Sequence, residues 1–277
     1  MKPLFIILLL SIAVISTTIF FNTQNIAYAH TFSGDESASF LTLIEEISTR
    51  SHLIEEELIN NATLPQRFAE HISQLVTPEN FKEISEKNKL VAKSLNESLA
   101  DLENSFHFTN KIIPSEIKDK IKNLDDILGE VVSVRIENEQ LTNNTVNALV
   151  LNDLIGKALQ SYDKALGIKS DEHSEEHESE NIKENDGQDI KVKIVNQVEY
   201  QIAQALFNKS IEKFNELKPL ITSNMSNLST TLESSLVQLR NAVDNKESFE
   251  VIDDIIDRQV TPHLESIFKI KIEEEEK

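Results

Sequence analysis

The stretch F-L-T-L-I-E-E-I-S-T-R-S-H-L-I-E-E-E-L, Phe40 to Leu58, decides the fold class. Phe40, Ile44, Ile47, Ser51, Ile54 and Leu58 step by four and by three, which puts them on one stripe of a helix. Ser51 is the only polar member of the stripe. Alternation at a period of two, the mark of a strand, is absent from it. Just upstream, Ser33-Gly34-Asp35-Glu36 has the form of a capping box, in which the serine oxygen and Glu36 exchange bonds with the first free amides.

The same pattern continues downstream. Thr63-Leu64-Pro65 opens a short second helix with Phe68, Ile72 and Leu75 inward, and Thr77-Pro78 stops it and starts a third. The third seam runs Phe81, Ile84, Asn88, Val91, Leu95, Leu99, Leu102 and Phe106, with Asn88 read as a register-fixing polar residue. Ser115 caps a fourth helix (Ile117, Ile121, Leu124, Leu128, Val131). The polar run Thr142 to Thr145 precedes a fifth, which Gly167 ends in a left-handed cap.

Residues 168–189 are acidic and poor in apolar side chains, so they cannot bury enough surface to fold alone. Helical pattern resumes near Ile190 and breaks at Lys218-Pro219. A further seam follows (Met225, Leu228, Leu232, Leu236, Leu239, Val243), then a short helix capped by Ser248 and a last one opened by Thr261-Pro262. With five glycines and six prolines in 277 residues, the chain reads as an all-α, antiparallel up-and-down helical bundle. Residues 30–167 form its N-terminal part and 190–277 its C-terminal part. The acidic linker 168–189 is either a long loop within one bundle or the joint between two sub-bundles.

Residues 1–29 have the parts of an export signal: Lys2, an apolar run from Leu4 to Phe21, and the small-x-small triplet Ala27-Tyr28-Ala29. The apolar run is also long enough to serve as an uncleaved N-terminal anchor. Either way the rest of the chain is expected outside the cytoplasm, extracellular or at the cell surface. Removing 1–29 takes away one lysine and no acid, moving the net charge from −20 to −21. Such a charge repels nucleic acid and anionic lipid and suits contact with cations. There is no cysteine, so an exported chain here relies on its core and not on disulfides.

The stretch H-T-F-S-G-D-E-S-A-S-F-L, His30 to Leu41, resembles the mature start of exported proteins of ammonia-oxidising archaea. The segment Val243 to Phe268, with N-K-E-S at 245–248 and T-P-H-L at 261–264, is similar to their C-terminal part. The resemblance implies an exported helical protein at an archaeal surface and implies no activity.

Cleavage after Ala29 leaves His30 first. A terminal amine titrates near about 8 and imidazole near about 6.5, so both become neutral nitrogen donors in mildly alkaline surroundings. Copper(II) favours such donors. The accident of cleavage is the plain alternative. His52 lies on the same helix, roughly 30 Å on, too far to complete a site with His30. His71, His107 and His263 near helix ends are the histidines that packing can bring closer. His71 is kept as a ligand candidate, against a capping or packing role beside Glu70.

The linker stretch Glu172-His173-Ser174-Glu175-Glu176-His177 supplies the second candidate. In a helical turn His173 and His177 share a face with Glu176 nearby, which suits loose capture of zinc or copper. The pattern also matches H-x-x-E-H of inverzincin proteases, although an acidic spacer produces it by chance. His52-Leu53-Ile54-Glu55 is similar to the H-x-x-E pattern of imelysin-like exported proteins and reads better as a surface histidine. Asp125-Asp126 and Asp253-Asp254 read as solvated faces, because adjacent side chains on a helix point apart. Six N-x-S/T sequons occur, of which Asn61 and Asn143, in turns, are the expected glycan acceptors.

These readings lead to an exported, non-enzymatic helical protein that binds divalent metal, copper or zinc, through His30, His173, Glu176, His177 and His71. The alternative is a structural or protein-interaction component of the cell envelope, and a metal-dependent hydrolase is the remote one. The expected partner is thus a metal ion or an envelope protein. Nucleic acid is not expected, and the membrane only through an uncleaved N-terminus.

Overall fold

The computed structural model describes residues 36–60, 64–107, 112–168 and 192–272. Among them are eleven α-helices and no β-strand: α1 (Glu36–Asn60), α2 (Leu64–Leu75), α3 (Pro78–Lys87), α4 (Lys89–His107), α5 (Pro114–Arg135), α6 (Asn138–Leu141), α7 (Asn144–Leu166), α8 (Gln197–Leu217), α9 (Ser226–Asp244), α10 (Phe249–Ile255) and α11 (Thr261–Phe268). No described helix is long and apolar enough to cross a membrane.

The fold is an all-α bundle with antiparallel neighbours. α1 and α5 show the geometry: Glu55 meets Lys118 at 2.6 Å, while Glu36, at the other end of α1, meets Arg135 at 3.8 Å. α1 and α8 also run antiparallel, with Glu57 beside Gln201 and Glu45 beside Lys209. α7 is the centre. Fifteen of its 23 residues are buried, and α8 lies along it in the most extensive helix pair of the fold, with α1, α10 and α11 against its other sides. One hydrophobic cluster joins residues from before and after the 169–191 segment, including Ile47, Leu124, Leu154, Leu206 and Leu264. Each such Leu or Ile contributes about 1.5–3 kcal/mol on burial.

The apolar stripes fall where the spacing puts them. The five seam residues of α5 are buried, as are Phe40, Ile47, Ser51 and Ile54 of α1. Thr77 makes the capping box with Asn80, Asn143 caps α7 through the amides of Thr145 and Val146, and Gly167 ends it at φ 71°.

Some boundaries differ from the sequence expectation. The third seam is two helices, because Asn88 is extended (φ −153°) and breaks it. Its side chain accepts from the amides of Leu90 (3.0 Å) and Val91 (3.3 Å), so it caps α4 and does not act as a register residue. Both helices keep facing the same core, which is why the stripe continues through the break. α5 begins at Pro114 with Ile113 in the cap position, so Ser115 is not its cap. Ser248 sits at the start of α10 with extended backbone but makes no side-chain cap bond. α8 begins only at Gln197, since the amides of Val195 and Asn196 bond to the Ala165 carbonyl and not within a helix. The Ser33 capping box and Thr63 lie outside the described residues.

α10 and α11 are joined without interruption by a π-helical turn, Ile256–Val260. Pro262 explains it: proline has no amide hydrogen, and its ring collides with the carbonyl four residues back in regular α geometry. The wider turn relieves both, and the His263 ring donates to the Gln259 carbonyl.

Gly167→Ala tests the clasp between α7 and α8. A Cβ at Gly167 would sit 2.6 Å from Val195 Cγ2, on backbone that L-residues adopt at a cost of about 1–2 kcal/mol. Urea titration should show a loss of at least that size. An unchanged midpoint would show that the clasp is not formed.

Candidate functional site

The core of the bundle carries charge on α1, α7 and α8. On α1, Glu46 and Arg50 are 2% and 6% exposed and paired to each other one turn apart. Asp153 of α7 and Glu199 of α8 are buried nearly as completely, at 2% and 5%. His71 of α2 reaches Glu199 at 3.6 Å from Nδ1 to Oε1. Three buried atoms, Arg50 Nε, Glu199 Oε2 and Gln201 Oε1, find no hydrogen-bond partner among the described residues. Each such group carries a desolvation cost of about 1–3 kcal/mol, so these atoms are kept from water by the surrounding packing.

None of Glu46, Arg50, Asp153 and Glu199 stands out in the sequence. Glu46 and Arg50 have the i,i+4 spacing of a surface pair such as Lys93 and Glu97. Only the packing of four helices around α1 takes them out of water.

His71 is thus at a helix interface beside one carboxylate. Burial lowers its pKa below the usual 6.5, outweighing the attraction of Glu199, and the positive charges of Arg50, Arg67 and Lys164 act in the same direction as burial. Among the described residues no three His, Asp or Glu side chains converge to hold a metal ion. His30, His173, Glu176, His177 and Asn61 lie outside the described residues. Asn143 is described and exposed.

A second polar region lies between α1, α8 and α9, a groove of about 810 Å³ whose lining includes His52, Glu56, Gln204, Lys209, Arg240 and Asp244. Its charges are largely spent on one another. Lys209 meets Glu45 at 3.1 Å, and Asp244 takes both Gln204 (2.7 Å) and Arg240 (3.4 Å).

At the groove's α5 side His52 Nε2 lies 3.1 Å from Asp125 Oδ2, and Ser48 Oγ donates to Asp125 Oδ1 at 3.0 Å. His52 is half exposed, in line with its reading as a surface histidine. Asp125 corrects the reading of a solvated face, because α5 turns it onto α1 while its neighbour Asp126 pairs with exposed Lys122. The carboxylate stands between the serine and the imidazole, so the histidine has no contact through which to activate the hydroxyl. The Asp125 bond raises the His52 pKa above 6.5, against a smaller effect of burial. Burial acts to raise the pKa of Asp125, yet the bonds from His52 and Ser48 prevail and hold it below 3.8.

No protein-family model, no curated protein and no solved structure matches the chain.

The two histidines bind protons with opposite bias, which fixes their effect on stability. His52 is raised, so its contribution is full below pH 6.5 and is lost as pH rises through its folded value. His71 is lowered, so its contribution is full above 6.5 and is lost as pH falls through its folded value. NMR titration should place His52 above 6.5 and His71 below it. Asp125→Asn should return His52 toward 6.5 and leave His71 in place. Equal values for the two histidines would contradict the geometry.

Proposed function

We propose that the chain is an exported, non-enzymatic helical protein that captures divalent metal, copper or zinc, outside the cytoplasm. The observation that carries the reading is the clasp at one end of the bundle. The amides of Val195 (2.8 Å) and Asn196 (3.1 Å) share the Ala165 carbonyl, and the Val192 amide bonds to the Lys246 carbonyl at 3.0 Å. Tyr162 and Tyr200 fasten the same corner, donating to the carbonyls of Glu247 (2.6 Å) and Val243 (3.0 Å). The described residues on either side of the stretch bearing His173, Glu176 and His177 are therefore fastened at one end of the bundle. His71 and Glu199 belong to that end too, since Glu199 sits in the first turn of α8.

His30 precedes α1 in the chain. Glu36 opens α1 beside Arg135, and the axis from there to Glu57 is about 32 Å long. The reading is therefore of two independent capture sites. One is the amine and imidazole of His30. The other is the pair His173 and His177 with Glu176, with His71 kept as a further candidate ligand. Without residues 1–29 the net charge of −21 favours cations at both.

Calorimetric titration of the exported full chain with Cu²⁺ and with Zn²⁺ tests this. Two sites are expected. His173→Ala with His177→Ala should abolish one, and a single residue added before His30 should abolish the other. Affinity indifferent to both changes would contradict the reading and favour the envelope-component alternative.

A further inference from the structure

The described residues hold five of the six sequons, and the fold treats them differently. At Asn96, Asn208 and Asn227 the acceptor lies within an α-helix, and the hydroxyl residue two positions on is buried: Ser98, Ser210 and Ser229. The Ser210 hydroxyl is already committed to the Leu206 carbonyl at 2.9 Å. A transferase reading the folded chain cannot reach those hydroxyls. Asn224 is exposed, but it lies inside the 3₁₀ turn Ser223–Met225, whose backbone is closed by the bond from the Ser226 amide to the Ser223 carbonyl.

Asn143-Asn144-Thr145 is the exception. Asn143 has extended backbone (φ −78°, ψ 117°), and both Asn143 and Thr145 are exposed. Asn143 Oδ1 turns into the first turn of α7, 2.9 Å from the Thr145 amide nitrogen. The planar amide then carries Nδ2 on the side away from the helix.

We propose that, among the described sequons, Asn143 is the N-glycan acceptor of the folded chain, and that Asn96, Asn208 and Asn227 stay bare. The donor is a lipid-linked oligosaccharide carried on phosphate. The Nδ2–C1 bond forms as the C1–O bond to the phosphate breaks; the phosphate keeps the electron pair, and the amide gives up one proton. The product keeps the Asn143 carbonyl, so α7 retains its cap. The sugar stands at the opposite end of α7 from Gly167, about 33 Å along the axis, so it leaves the clasp end uncovered. The proposal rests on the export reading and is independent of metal.

The test is intact-mass and glycopeptide analysis of the chain exported by the cells that make it, with Asn143→Asp and Thr145→Ala beside it. Asp keeps an acceptor for the α7 amides, and Thr145→Ala keeps Asn143 itself, so neither variant removes the cap. The peptide containing Asn143 should carry sugar in the parent chain and lose it completely in both variants. The same spectrum reports separately whether residues 1–29 have been removed. An exported chain bare at Asn143, or sugar at Asn96, Asn208 or Asn227, would overturn the proposal.

Discussion

The constraint on which the structure depends is the burial of α7. A helix with most of its surface out of water needs neighbours on every side, and the chain supplies them from both of its halves. α8 returns antiparallel along one side, α1 fills another, and α10 and α11 close a third. The segment 169–191 therefore interrupts the sequence but not the core. The described residues after it, Val192, Val195 and Asn196, are tied by backbone bonds to Lys246 and Ala165, so α7 and α8 are fastened at one corner.

That centre also accounts for the unusual polar content of the core. Wrapping four helices around α1 buries Glu46 and Arg50 along with its apolar seam. A buried pair of this kind adds little net stability, because desolvation offsets the attraction. Breaking it by removing one partner is far more costly than never having had it. Glu199 and His71 link α8 to α2 at the clasp end, while Asp125 links α5 to α1 through His52 and Ser48. The polar contacts therefore tie together the same helices that the apolar seams pack.

The seams were legible in the sequence because a helix keeps its stripe whatever it packs on. Ile117 through Val131 of α5 and Leu232 through Val243 of α9 needed only their spacing. The stop at Gly167 and the helix start at Thr77-Pro78 were legible too, whereas Ser115 is not a cap and Ser248 makes no side-chain cap bond. Asn88 was visible as an oddity but assigned the wrong task. An asparagine within a stripe suits a register role and a cap equally, and only backbone geometry separates the two. The candidate site was much less legible. Glu46 and Arg50 look like any exposed i,i+4 pair, and the meeting of His52 with Asp125 joins residues far apart in the chain. Burial of a charge is decided by which helices surround it, and no local pattern encodes that. Of the metal candidates only His71 lies among the described residues, and its partner Glu199 had no signal of its own.

Native-state hydrogen exchange tests the central claim, that α7 is the shared core of one cooperative bundle. Amides of α1, α7 and α8 should exchange only through global unfolding, with one free energy and one denaturant dependence for all three. Loss of protection in α8, α9 and α11 at lower denaturant, while α1 and α7 stay closed, would show two separately folding parts. That result would contradict the account.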